Sequence, residues 1–192
     1  MIRPIRTYSD PWLRRHQETH TQHAVFGTHA HPYLLDVVTR LATAIGATGD
    51  ERPSLLDYGC GKGVFLRAMA ATGLFRFVRG FDPAIAAFKA RPAQSYDMVI
   101  CLDVLDQLEP EFVEPLIRDV AQFAGQVALF DVITVQTPEL AHLNPRSPAA
   151  WQEIICRHMP VTEVIVRPAT PEELAQGACP ERAIIIATSS PR

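Results

Sequence analysis

Apolar and polar positions along the chain repeat in two registers, and the switches between them sketch a fold. Ser54-Leu55-Leu56-Asp57-Tyr58 is a short apolar run behind the helix-ending pair Arg52-Pro53, and reads as a buried strand. Val64 to Ala71 follows as a helix with Thr72-Gly73 as its stop. Phe75 to Asp82 alternates with period two, so a second strand is expected there. Pro83 then stands where a first helical turn accepts proline, which predicts a helix over 84–90 broken by Arg91-Pro92. Tyr96 to Leu102 is apolar in the manner of a central strand. From Glu111 to Phe123, Phe112, Leu116, Val120 and Phe123 recur at helical spacing. Gln126 to Ile133 predicts another strand, and Ala149 to Met159 a helix that buries Trp151. Glu163 to Val166 and Arg182 to Ala187 are β-rich, and the short gap between them, holding Gly177 and Pro180, suits an antiparallel pair. Near the start, Leu34, Leu35, Val38, Leu41 and Ile45 make an amphipathic helix fit to cover a sheet face.

Strands alternating with helices specify an α/β fold with a mostly parallel sheet and crossover helices. At 192 residues the expectation is a single domain over 1–192: a helical cap over 1–50, a core over 54–133, and a loop, helix and terminal strands over 134–192. Charge narrows the partners. Eighteen basic residues against twenty-one acidic ones provide no strong positive field, which disfavours nucleic acid. No apolar run approaches the roughly 20 residues of a membrane span. The opening Met1 to Arg6 lacks a signal-peptide core, so cytoplasmic residence is expected. Cys60, Cys101, Cys156 and Cys179 form no CxxC pair and read as reduced, mostly buried thiols.

The chemistry concentrates between the first two strands. Asp57-Tyr58-Gly59-Cys60-Gly61-Lys62-Gly63 places three glycines where a strand gives way to a helix. Glycine tolerates φ > 0 and has no Cβ, so a ligand can approach the backbone. A helix N-terminus also presents unpaired N–H groups to an anionic ligand group. Asp82, at the end of the next strand, is placed to accept ribose hydroxyls. A P-loop would need Ser or Thr after Lys62. An acid two residues before the first glycine suits a cationic amine better than a pyrophosphate. S-adenosylmethionine carries such an amine beside a carboxylate, a ribose and an adenine.

Three segments in order resemble the class I S-adenosylmethionine-dependent methyltransferases: Asp57 to Gly63, Phe81-Asp82-Pro83, and Tyr96 to Leu105. The likeness is strongest to small bacterial members with a D-Y-G-C-G-K-G loop, and it runs from about Ser54 to Ile133. It implies a Rossmann-like seven-stranded sheet, mostly parallel, with helices on both faces and an antiparallel terminal pair. It further implies that Asp57, Gly59, Cys60, Gly61 and Gly63 hold the methionine end of the cofactor, and Asp82 and Pro83 the ribose. Leu102, Asp103 and Val104 would line the methyl-transfer crevice. Two departures stand out. Only fourteen residues separate Asp82 from Asp97, so the third strand and its helix must be shortened or missing. Many relatives carry a histidine after the fourth strand, where this chain reads Asp106-Gln107-Leu108.

Methyl transfer from a sulfonium needs an acceptor held in line, exclusion of water and, for oxygen or protonated amine acceptors, a base. Asp103, and more weakly Asp131, are carboxylate candidates at the open strand ends. The proline-rich loop 134–148 contributes His142 as the leading base and Arg146 as an anion clamp. Five histidines fall between His16 and His31. His16, His20 and His23 share one helix face that could gather a metal, but a lid over the cofactor fits better and no metal is expected. In that lid Tyr8, Trp12, His29 and His31 face the acceptor, with His29 a further base candidate and Phe26-Gly27 the hinge. The expected function is methyl transfer to a small-molecule or sugar-like acceptor. The competing readings are a non-catalytic cofactor-binding scaffold and another transferase, such as an aminopropyl transferase, using the same cofactor.

Overall fold

The computed structural model describes residues 2–28, 32–47, 51–135, 143–175 and 179–189. Two helices, α1 (Asp10–Gln22) and α2 (Pro32–Ala47), precede the sheet. The order then runs β1 (Ser54–Tyr58), α3 (Val64–Ala71), β2 (Phe77–Phe81), β3 (Tyr96–Leu102), α4 (Pro110–Phe123), β4 (Ala124–Ile133), α5 (Pro148–Cys156), β5 (Val161–Pro168), α6 (Pro171–Ala175) and β6 (Glu181–Thr188). The strands form one sheet in the order β2-β1-β3-β4-β6-β5. β1 pairs in parallel with both β2 and β3, and β3 with β4, while β6 runs antiparallel to β4 and β5. The chain leaves β1 toward β2 on one side and returns to β3 on the other. That reversal opens a crevice beyond the carboxyl ends of β1 and β3, the usual ligand position in such sheets.

The central strands are apolar on both faces because both faces are covered. Leu55, Met98, Ile100, Leu129, Ile184 and Ile186 pack with α2 and α3 through Leu34, Val38, Phe65 and Met69. Leu56, Tyr58, Val99, Cys101, Phe130 and Ile185 pack with α4 and α5 through Leu116, Val120, Phe123, Trp151 and Ile155. Adjacent residues of one strand therefore serve opposite cores, as the two-residue period of a strand requires. Trp151 is completely buried and donates its indole N–H to the Ile133 carbonyl.

Among the described residues the sheet has six strands, and the expected seventh is not found. Between Phe81 and Tyr96 the chain forms turns, with neither a third crossover strand nor the helix predicted over 84–90. The backbone of this segment is satisfied locally instead. Asp82 N–H donates to Phe88 O, Phe88 N–H to Ile85 O, and Ala84 N–H to the Asp82 carboxylate. A loop closed on itself in this way leaves no length for a strand before β3 begins. As a result β2 is an edge strand, and Phe77 on it is 44% exposed.

A buried ionic cluster ties the terminal strand to the ligand end of the sheet. Arg182 on β6 donates from Nε to Asp131 Oδ2 at 3.0 Å and from Nη2 to the same oxygen at 2.5 Å, and it also binds Asp103 Oδ1. Asp131 therefore works as a structural carboxylate. Burial pushes its carboxyl up to about 7, with the Asp103 charge acting in the same direction and the Arg182 guanidinium acting against both. Asp103 has a φ of 57°, and the pairing holds that strained residue at the end of β3. Replacing Arg182 by methionine removes the cation but keeps most of the stem. Urea unfolding is expected to show a loss of about 3 kcal/mol, and an unchanged midpoint would count against the cluster as the anchor of β6.

Candidate active site

The glycine loop after β1 is held on every side. Gly59, Gly61 and Gly63 have φ of 84°, 50° and 71°. A Cβ on Gly59 would meet Val104 Cγ2 at 2.3 Å, and one on Gly61 would meet the carbonyl oxygen of Gly27 at 2.6 Å. Backbone from residue 27 lies directly on the loop, and Lys62 fastens it there: its N–H donates to Gly27 O at 2.9 Å, and its Nζ to His23 O and Ala24 O at 2.7 and 2.8 Å. The remaining loop amides are engaged as well. Gly59 and Cys60 N–H both donate to Phe81 O, Gly61 N–H to Asp82 Oδ2, and Gly63 N–H to Cys60 O. The expectation that unpaired N–H groups of this loop meet an anionic ligand group is therefore corrected. Each amide from 59 to 63 already has a protein partner, and the glycines admit the close approach of Gly27 and Val104.

A cleft of about 990 Å³, counting the solvent at its mouth, lies above this loop. Asp57, Gly59, Cys60, Gly61, Asp82, Pro83, Leu102, Asp103 and Val104 line it, as do Tyr8 and Trp12 from the N-terminal cap. Gly63 stands apart, capping α3 behind Phe88. Arg146 is also elsewhere, its guanidinium 5.4 Å from the Trp151 ring centroid and bonded to Asn144. His29, His31 and His142 lie outside the described residues.

The cleft contains residues that the sequence reading missed or placed in another role. Thr7, His16, His20, Phe26 and Gln107 line it. Tyr8, just before α1, and Trp12, His16 and His20 on it recur at four-residue steps and line the cleft in one row. That spacing was visible in the sequence, but the histidines alone drew attention to a metal. His23 instead caps the helix and is exposed, and no group of three His, Cys, Asp or Glu gathers among the described residues. The His16 ring stacks on Trp12 with centroids 3.6 Å apart, and its Nδ1 donates to Trp12 O at 3.1 Å. This bond leaves Nε2 as the unprotonated nitrogen of the neutral ring. Burial lowers the His16 pKa, opposed by the Trp12 carbonyl and the Gln107 side chain.

The floor is acidic. Asp57 is 2% exposed. Burial, reinforced by the Asp82 charge, pushes its carboxyl from 3.8 up to about 7. Burial also raises Asp82, against the pull of the Ala84 and Gly61 amides. Each Asp82 oxygen accepts one backbone N–H and retains a lone pair for a further donor. Asp103 is bound to Arg182. The Cys60 thiol is held protonated by burial and the nearby carboxylates. The site is thus a glycine-floored cradle with two carboxylates awaiting donors, walled by aromatic rings.

A family model described as "Methyltransferase domain" matches residues 26–161, well over half of the chain. The chain belongs to this family. It is an S-adenosylmethionine-dependent methyltransferase of class I, with the Rossmann-like fold. Its fold is similar to magnesium protoporphyrin IX methyltransferase from Synechocystis, crystallised with bound cofactor (TM-score 0.65, 16% identity, 93% of this chain and 97% of that one). It is also similar to the N-methyltransferase NodS from Bradyrhizobium japonicum in complex with S-adenosylhomocysteine (0.64, 12%, 95% and 100%). A third is 1,6-didemethyltoxoflavin-N1-methyltransferase from Burkholderia thailandensis (0.60, 12%, 100% and 94%). No curated protein sequence matches the chain. Among the described residues of the methyltransferase, no helix is long and apolar enough to cross a membrane.

Asp57 makes stability and function pull apart. Its folded pKa lies above its unfolded value, so the native state binds the extra proton and the contribution to stability falls as pH rises from about 4 to about 7. Asp57→Asn is expected to shrink the wild-type loss of unfolding midpoint between pH 5.5 and pH 8. The same variant should weaken S-adenosylhomocysteine binding, because an amide carries no charge where the cleft now holds a carboxyl group.

Proposed function

We propose that this methyltransferase modifies a small-molecule acceptor held between the α1 face and the ends of β1 and β3. The observation that carries the reading is the cleft itself. It opens beyond the carboxyl ends of β1 and β3, the ligand position of such sheets, with the glycine turn as its floor. Its lining is aromatic and acidic, and among the described residues no row of basic side chains tracks a phosphate backbone there. The three similar structures include enzymes named for a porphyrin and a toxoflavin precursor, and that company supports a metabolite acceptor. A sugar-like acceptor fits the same cleft.

In this reading Asp57 receives the amine of the cofactor, and Gly59 and Gly61 allow its tail to lie against the backbone. Asp82 accepts the ribose hydroxyls. S-adenosylmethionine supplies the activated methyl group. Leu102, Asp103 and Val104 shape the crevice floor, Tyr8 and Trp12 bound the acceptor, and α1 with the turn after it excludes water. His16 takes the acceptor's proton: its Nε2 is free of hydrogen, its ring is neutral, and it stands beside Gln107, the position where the expected histidine is missing. His142 is the base that the sequence alone favours.

Titration calorimetry with S-adenosylhomocysteine tests the assignment. Asp82→Ala is expected to weaken binding at least tenfold, about 1.4 kcal/mol. Gly61→Val should abolish binding, because its side chain would displace the Gly27 backbone. A folded wild-type protein that takes up neither the cofactor nor its by-product at millimolar concentration would overturn the reading. Radiolabelled cofactor incubated with fractionated metabolites should yield a labelled product in fractions below about 1 kDa.

A further inference from the structure

β5 forms the outer edge of the sheet beyond β6, and among the described residues no strand lies past it. It is eight residues long. The register to β6 decides which of its backbone groups are engaged. Ala169 N–H donates to Pro180 O, in line with the pairing of Ile165 with Ile184 and of Arg167 with Arg182. Hydrogen bonds in an antiparallel ladder fall on every second residue, so Glu163, Ile165 and Arg167 turn their N–H and C=O groups to β6. Val164 and Val166 turn theirs outward, where an edge offers them to another strand. The Val166 side chain is itself 46% exposed.

The order of side chains says which strand fits. Glu163, Ile165 and Arg167 share one face of β5, and Val164 and Val166 the other. Charges on an edge usually discourage pairing, but here their order is self-complementary. When two copies of β5 meet antiparallel about a two-fold axis at Ile165, each Glu163 lies opposite the partner's Arg167. Each Val164 then lies opposite the partner's Val166, and this is the pair whose backbone groups face outward, so both N–H···O bonds form on either side of the axis. Neighbouring registers fail. An axis at Val164 sets Glu163 against Ile165, one at Val166 sets Ile165 against Arg167, and one at Glu163 brings two carboxylates together. Glu163 is exposed, and its carboxylate has no ion pair or hydrogen bond among the described residues. Arg167 donates from Nη2 to Glu173 at 2.6 Å and stacks 4.0 Å over the Tyr33 ring, which orients the guanidinium and leaves it further N–H donors. Pro168, with no N–H to offer, falls opposite Thr162 at the end of the ladder, beside the irregularity between Val161 and Glu163. We infer that a second copy of this chain docks on β5, joining two six-stranded sheets across an isologous antiparallel edge. None of these β5 residues lines the cleft.

Sedimentation equilibrium of the full chain at micromolar concentration is expected to show a dimer. Glu163→Arg sets two cations opposite each other on both sides of the axis and should raise the dimer dissociation constant about tenfold. Val166→Pro removes an N–H that a single copy leaves unpaired, so it should yield a monomer with the circular dichroism of the wild type. A third variant tests the register. Cys60, Cys101 and Cys179 are buried and Cys156 is exposed, so Ile165→Cys is made together with Cys156→Ser. Thiols on the axis belong to facing residues with Cα atoms about 4.5 Å apart, within disulfide reach. Mild oxidation should link the two copies, whereas Thr162→Cys in the same background, facing Pro168, should stay unlinked. Should Val166→Pro fail to fold, the disulfide pair of variants decides. A wild type that sediments as a monomer overturns the proposal. So does a dimer that Glu163→Arg leaves intact and Ile165→Cys does not capture, since its interface would then lie on another face.

Discussion

Two stretches of backbone in van der Waals contact, Gly27 against Gly61, hold the site together. Neither position tolerates a side chain, because a Cβ on either would collide with the other segment or with His20. The contact brings the end of the N-terminal cap onto the strand-to-helix turn, where Lys62 fastens it through one amide and two ammonium bonds. The cleft roof, including the row of rings on α1, is positioned from this point. The lower side of the same turn is joined to β2 through Phe81 O and Asp82. Roof, floor and the wall formed by Asp82 therefore meet at five consecutive residues.

Electrostatically the free site is unfinished. Asp57 and Asp82 are both buried and near enough for each to disfavour the other's charge. A structure optimised for stability alone would pair them with a cation, as it does with Asp131 and Arg182 two strands across the sheet, or with Asp119, which Arg91 and the Tyr58 hydroxyl satisfy. The contrast separates structural acids from receptive ones. Asp131, Asp119 and the cleft-lining Asp103 have their cations built in, whereas Asp82 has only backbone amides.

Loss of the third strand simplifies one edge of the sheet without disturbing the switch point. The cleft depends on β1, β2 and β3, and the loop 82–88 closes its side through bonds to its own backbone and to the Asp82 carboxylate. The edge strand that results is five residues long, short enough to offer little template for pairing with another chain.

By itself the sequence determined the strand and helix order, the parallel core, the antiparallel terminal pair and the glycine turn with its two acids. These depend on local period and on residue types with few alternatives, so a single chain displays them. The count of six strands, the turn in place of the helix over 84–90, and the fate of the loop amides were decided only by tertiary structure. Each depends on where a backbone group finds its partner, and those partners lie far along the chain: Gly27 O for Lys62, Phe81 O for Gly59. His16 and His20 belong to the same class. Their helical spacing was legible, but that this face lines the cleft follows from the contact between Gly27 and Gly61, more than thirty residues apart in sequence.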